Sequence, residues 1–204
     1  MFAYDSDISS HPSSFIRRSS VMRNASVILP ILLIMGCSSM VMTPSAQSGA
    51  MPKDGELAFP SDYTSFPVFL SGVQKSDAVR DLYVNPVGAK TQAGQAFPNG
   101  STLVMEIYNA KKDAAGNFEK GADGLLIKAD LAKVFVMHKE AGWGANAPEN
   151  LKNGDWIFSA FKPNGERLEV DYTKCRSCHL PLGDSKDYVH RYDEYFEKRA
   201  HGAH

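Results

Sequence analysis

Cys175-Arg176-Ser177-Cys178-His179 constrains this chain more than any other segment. Two thiols three positions apart, followed at once by a histidine, can add across the two vinyl groups of one heme and set the histidine beneath the iron as its proximal ligand. The fold must therefore hold a large flat cofactor near its C-terminal end. The spacing predicts one covalently attached heme c, with Cys175 and Cys178 as attachment points and His179 as axial ligand. Two other uses of a CxxC pair fit worse. A thioredoxin-like redox pair follows the first strand of a βαβ unit, and a zinc site needs a second ligand pair at finger spacing; the sequence carries neither pattern.

The chain has three cysteines, and the remaining one, Cys37, ends a short apolar run in the context Leu33-Ile34-Met35-Gly36-Cys37-Ser38-Ser39. That context resembles the lipobox of a bacterial lipoprotein. The run from Val27 to Met35 is interrupted by Pro30 and falls far short of the roughly 20 apolar residues of a membrane-spanning helix. Basic Arg17, Arg18 and Arg23 precede it. It reads as a signal peptide over residues 1–37, with Cys37 the lipidation site. Acyl chains would then anchor the protein to a membrane, at about 0.8 kcal/mol per buried methylene. Ser38, in the second place, offers no inner-membrane retention cue of the Asp type. The expected location is the periplasmic face of the outer membrane; cleavage nearby, leaving a free periplasmic protein, is the alternative. Residues 1–21 are serine-rich and polar, so Met22 is an alternative start.

Residues 38–54 are rich in Ser, Ala, Met, Gly and Pro with too few large apolar groups for a core, as in a flexible tether. The stretch 55–204, about 150 residues, has the length of one domain. Its expected content is a heme domain. Charge is near balance over the chain, 22 Lys and Arg against 23 Asp and Glu, which gives no footing for nucleic acid or an acidic membrane surface as partner.

Periodicity in 55–204 is mostly that of strands. Arg80 to Val84 ends at Asn85-Pro86. Ser101 to Tyr108 alternates, with Leu103, Met105 and Ile107 on one side and Thr102, Val104 and Glu106 on the other. Ala132 to Lys139 and Trp156 to Phe161 have the β-branched and aromatic content of strands. Turn sequences at Pro98-Asn99-Gly100, Asn153-Gly154 and Pro163-Asn164-Gly165 separate them. Helix is expected at the C-terminus, where Tyr188, Tyr192, Tyr195 and Phe196 recur at helical steps, with a helical turn near Ser61 to Phe66 and a short helix after Pro86. The fold class expected is mainly β (α+β), an antiparallel sheet with a few short helices packing one c-type heme. No methionine follows His179, unlike the small electron carriers with a downstream methionine ligand. The Gly, Pro and period-2 segments exclude an all-helical bundle.

A domain opening at Gly55-Glu56, the segment Leu82-Tyr83-Val84-Asn85-Pro86, Phe97-Pro98-Asn99-Gly100-Ser101 leading into a strand, Asn153-Gly154-Asp155-Trp156 leading into another, and Cys175 to His179 before a short helix together resemble the cytochrome P-460 family. The likeness spans residues 55–199. It implies a largely antiparallel sheet with a few helices, a homodimer, and one c-type heme packed against the sheet. It also implies one of two activities. Cytochrome P-460 proper oxidises hydroxylamine and carries a lysine cross-linked to the heme and a distal carboxylate. The cytochromes c′-beta lack that chemistry and bind nitric oxide or carbon monoxide under aromatic residues.

By that resemblance the cross-linking lysine falls on Met105, which cannot form the bond, and the distal carboxylate falls on Phe135, which cannot act as a general base. Both departures favour gas binding or electron transfer, with a five-coordinate iron, a small gaseous or nitrogenous ligand and a periplasmic redox partner. An oxidoreductase acting on hydroxylamine remains the alternative. The distal pocket residues expected are Met105, Phe135 and Met137, Met105 and Met137 being also the domain methionines able to serve as a sixth ligand. Apolar residues on strands are more often core than pocket. Strand parity puts His138 on the side away from Met137. His190, His201 and His204 are expected in solvated sequence, Arg176 either at a heme propionate or in water, and Trp143 and Trp156 in packing.

Overall fold

A computed structural model describes residues 51–202. Five strands form one antiparallel sheet in sequential order: β1 Val68–Gln74, β2 Ala78–Val84, β3 Ser101–Ala110, β4 Lys128–Lys139 and β5 Trp156–Phe161. Two short α-helices follow, α1 Tyr172–His179 and α2 Tyr192–Ala200. Single 3₁₀ turns at Tyr63–Ser65 and Gly88–Lys90 occupy the two places where short helical pieces were expected. The mainly-β architecture read from the sequence is the one observed. No helix among the described residues is long and apolar enough to cross a membrane.

Alternation along each strand and the cross-strand register together decide which side chains share a side. The rows Val84–Leu103–Met137–Phe158 and Leu82–Met105–Phe135–Ala160 run across β2 to β5 on one side. Phe69, Phe97, Trp156, Val189, Tyr192, Tyr195 and Phe196 close over the first row, so this side packs against the helices. Full burial of each such aromatic contributes about 1.5–3 kcal/mol. Val104, Val134, Val136, Ile157 and Phe161 face the other way, beneath Leu57, Phe59, Tyr63 and Phe66 of the preceding segment. Two carboxylates are buried there: Glu106 is satisfied by hydroxyl donors from Tyr63 at 2.7 Å, Tyr83 at 3.0 Å and Tyr108 at 2.9 Å, and Asp81 by Lys128 and the Gly72 N–H.

β1 was not legible in the sequence. Its pairing with β2 slips between Val68 and Leu70 and again between Leu70 and Val73, and Gly72 takes φ +65° within the second slip. The bulges destroy the alternation that marks a strand. β4 begins at Lys128, four residues before the apolar pattern starts, because that end pairs through its backbone while its side chains stay exposed. Gly144 has a steric reason: a Cβ there would lie 1.7 Å from the Gly154 carbonyl oxygen, so the loop before β5 closes only with glycine.

Candidate functional site

The CxxCH residues are helical. Asp171 caps α1 by accepting the Thr173 N–H at 3.1 Å. One helical turn then places Cys175, Cys178 and His179 on neighbouring positions at three- and four-residue spacing. Both thiols are free; Cys175 is half-buried and Cys178 exposed. Burial pushes the Cys175 thiol above its ordinary pKa.

Arg176, between the two cysteines, points the opposite way into the protein. It is 3% exposed. It donates from Nε to Asp54 at 2.6 Å and from Nη2 to the other oxygen at 3.0 Å, and Asp54 also accepts the Phe158 N–H of β5 at 3.0 Å. The carbonyl of Arg176 accepts from buried Asn153 at 3.1 Å. Neither a propionate contact nor water, the two roles left open by the sequence, describes it: Arg176 bolts α1 to the edge of the sheet. The ordered contacts accordingly reach back to Asp54, one residue before the stretch assigned to the domain.

His179 packs against the rings of Phe158 and His190, at centroid distances of 5.0 and 4.6 Å. Its Nδ1 donates to the Tyr188 carbonyl at 2.7 Å. That bond selects the tautomer, and Nε2 makes no hydrogen bond among the described residues. Burial holds the imidazole to a pKa of about 4, the Tyr188 bond opposing only in part. A neutral ring with one nitrogen committed and the other free is what a metal-ligating histidine requires.

The carbonyl partner is held by an unusual stretch of backbone. Asp187, Tyr188 and Arg191 have φ of 46°, 57° and 58°, left-handed conformations that cost non-glycine residues roughly 1–3 kcal/mol each. Asp187 compensates: its carboxylate accepts from Phe97 N–H at 2.9 Å and from Lys139 Nζ at 2.8 Å, and its carbonyl accepts from Trp156 Nε1 at 2.9 Å. Tyr188 thus lies outside the C-terminal helix to which its spacing assigned it, which begins at Tyr192.

Met105 and Phe135 are direct cross-strand partners, half-buried, on the side of the sheet that packs against the helices. Met137 is on the same side, one row along, 8% exposed among Val84, Leu103, Trp156 and Phe158. His138 points to the opposite side, as parity required. Its Nδ1 lies 2.7 Å from Thr102 Oγ1 and its ring rests on Trp143. His190 departs from expectation. It is half-buried rather than solvated, with Nε2 3.3 Å from Cys178 Sγ, because the left-handed turn folds it back onto α1. His201 is exposed; Cys37 and His204 lie outside the described residues.

These residues fit a heme on three counts. The thiols share one stretch of helix, His179 offers a free nitrogen, and Arg80 on the same side of the sheet has a buried Nε with no partner. Such a domain is that of a heme-binding cytochrome. A family model described as Cytochrome P460 matches residues 60–191, and the chain belongs to the cytochrome P460 family. No curated protein matches the chain.

Proposed function

We propose that the chain is an exported c-type cytochrome that binds small gases, nitric oxide or carbon monoxide, or passes single electrons to a periplasmic redox partner. In this reading one heme c is bonded through Cys175 and Cys178 and ligated by His179. Cys37 carries the acyl anchor on the periplasmic side of the outer membrane, and the protein is a homodimer, as the family implies. Bound heme supplies an iron that takes up diatomic gases and exchanges electrons.

The observation that carries the reading is the geometry at His179. Tyr188 fixes its Nδ1 at 2.7 Å and burial keeps the ring neutral, so Nε2 is presented to a metal without first losing a proton. Cys175 and Cys178 flank that presentation on the same helix. Among the distal candidates, Met105 and Phe135 have no group that accepts or delivers a proton, which favours ligand binding over hydroxylamine oxidation. Beside a bound heme, the Phe135 ring would exclude water while admitting small uncharged molecules.

The test is the absorption spectrum of the purified holoprotein, ferric and ferrous, before and after nitric oxide is added without oxygen. An ordinary c-type ferrous Soret band that responds to the gas supports the proposal. A strongly red-shifted ferrous Soret band signals a cross-linked macrocycle and puts hydroxylamine oxidation first. A protein purified without heme refutes both.

A further inference from the structure

We infer that Arg80 and Lys133 form a seat for a carboxylate or small oxoanion on the side of the sheet that packs against the helices. The inference rests on the heme reading above, since the cofactor's own carboxylates are one of two sources of such an anion; a free oxoanion is the other.

Arg80 of β2 pairs with Ile107 of β3, and Ile107 with Lys133 of β4. The two cations therefore stand in one row, two strand spacings or about 10 Å apart. Alternation places them on the side that carries Leu82, Met105 and Phe135, in the adjoining row. Lys133 Nζ is 5.8 Å from the centre of the Phe135 ring. A cation stands at each end of the Ile107 row.

The two cations lack counter-charges. Neither Arg80 nor Lys133 makes an ion pair among the described residues, and Arg80 Nε is buried with no hydrogen-bond partner. Asp81, next to Arg80 in sequence, points to the opposite side, where Lys128 and the Gly72 N–H take its carboxylate. Asp77 acts on Arg80 but is exposed. Arg191, the cation that acts on Arg80, is itself paired with Glu194 at 2.5 Å and adds positive charge without supplying a counter-ion. A buried guanidinium N–H with no acceptor is costly, and the planar donor fork matches a carboxylate or oxoanion through two parallel bonds. A buried guanidinium edge without an acceptor, in one row with a second cation that makes no ion pair among the described residues, calls for an anion.

The experiment compares the heme-loaded wild-type chain with Arg80→Gln and Lys133→Gln, reading the reduction midpoint and the nitrite dissociation constant from the ferric Soret band. Loss of a cation favours the ferric state, so a lower midpoint in Arg80→Gln with unchanged nitrite binding assigns the seat to the cofactor's carboxylates. Nitrite binding weakened about tenfold, the scale of one lost charged hydrogen bond, at an unchanged midpoint assigns it to a free oxoanion. Changes in both support the seat in both uses. No change in either quantity, in variants with wild-type circular dichroism, overturns the inference. Lys133 is exposed, so Lys133→Gln decides by the same criteria, with smaller shifts, should Arg80→Gln fail to fold. A wild-type chain without a Soret band instead refutes the heme reading before any variant is compared.

Discussion

Replacing Asp54 with alanine removes a partner from the most buried charge on α1. The Arg176 side chain is 4% exposed and that of Asp54 18%. In Asp54→Ala the guanidinium loses its bonds at 2.6 and 3.0 Å and keeps two weak ones, to the Trp156 carbonyl at 3.3 Å and the Leu151 carbonyl at 3.4 Å. A buried charge stripped of its partner costs about 3–5 kcal/mol. The Phe158 N–H loses its acceptor as well, for about 1 kcal/mol more. Arg176→Met is milder, because the partly exposed Asp54 carboxylate can hydrate and still accept from Phe158; the expected loss is about 1–3 kcal/mol. Domain stabilities are about 5–15 kcal/mol, so Asp54→Ala removes a large share and Arg176→Met a modest one. The double variant contains no stranded charge and falls about 1 kcal/mol beyond Arg176→Met, the cost of the Phe158 N–H acceptor. Urea unfolding of the holoprotein, followed by far-ultraviolet circular dichroism, gives the three differences. The reasoning is refuted if Asp54→Ala costs less than Arg176→Met, or if the two losses simply add.

Cys175→Ser and Cys178→Ser should each reduce or abolish covalent heme attachment; full retention after acid-acetone extraction would remove the thiols from that role. Phe135→Ala should speed carbon monoxide association with the ferrous protein. Because Phe135 is only half-buried, its stability cost should stay below the ~3–5 kcal/mol of a core phenylalanine; unchanged association kinetics would take Phe135 out of the pocket. Stability should also depend on pH through His138, whose pKa burial lowers from 6.5 despite the opposing pull of Glu140. The unfolded chain binds this proton first, so the contribution is complete above pH 6.5 and is lost as pH falls towards the folded value. Between pH 7.5 and 5.5, His138→Asn should lose less stability than the wild type in urea melts, and equal losses would count against the assignment.

Where the sequence could be read, the reason is local periodicity. Ser101 to Tyr108 alternates without interruption, and Trp156–Phe161 is bounded by turn residues, so β3 and β5 were legible; β1, bulged twice, was not. In the site, Cys175, Cys178 and His179 were legible because one spacing serves one chemistry. Tyr188 was not: its contribution is a backbone carbonyl, which carries no residue signature. Asp54 was equally hidden, lying 122 positions from Arg176 in a polar tract. His190 and Arg80 look like ordinary solvated residues until the left-handed turn and the strand register bring them beside Cys178.

The sequence by itself determined the cofactor class and the antiparallel sheet, because CxxCH spacing and two-residue alternation act over a few neighbouring bonds. It also determined, through parity, that His138 opposes Phe135 and Met137 of its own strand; that Met105 shares their side was decided by strand register. Only the tertiary structure decided that Arg176 is an internal anchor, that the Tyr188 carbonyl orients His179, and that Arg80 and Lys133 share a row without a counter-ion. Those are relations between separate elements of the fold. Their geometry depends on how strands register and helices dock, which no local pattern encodes.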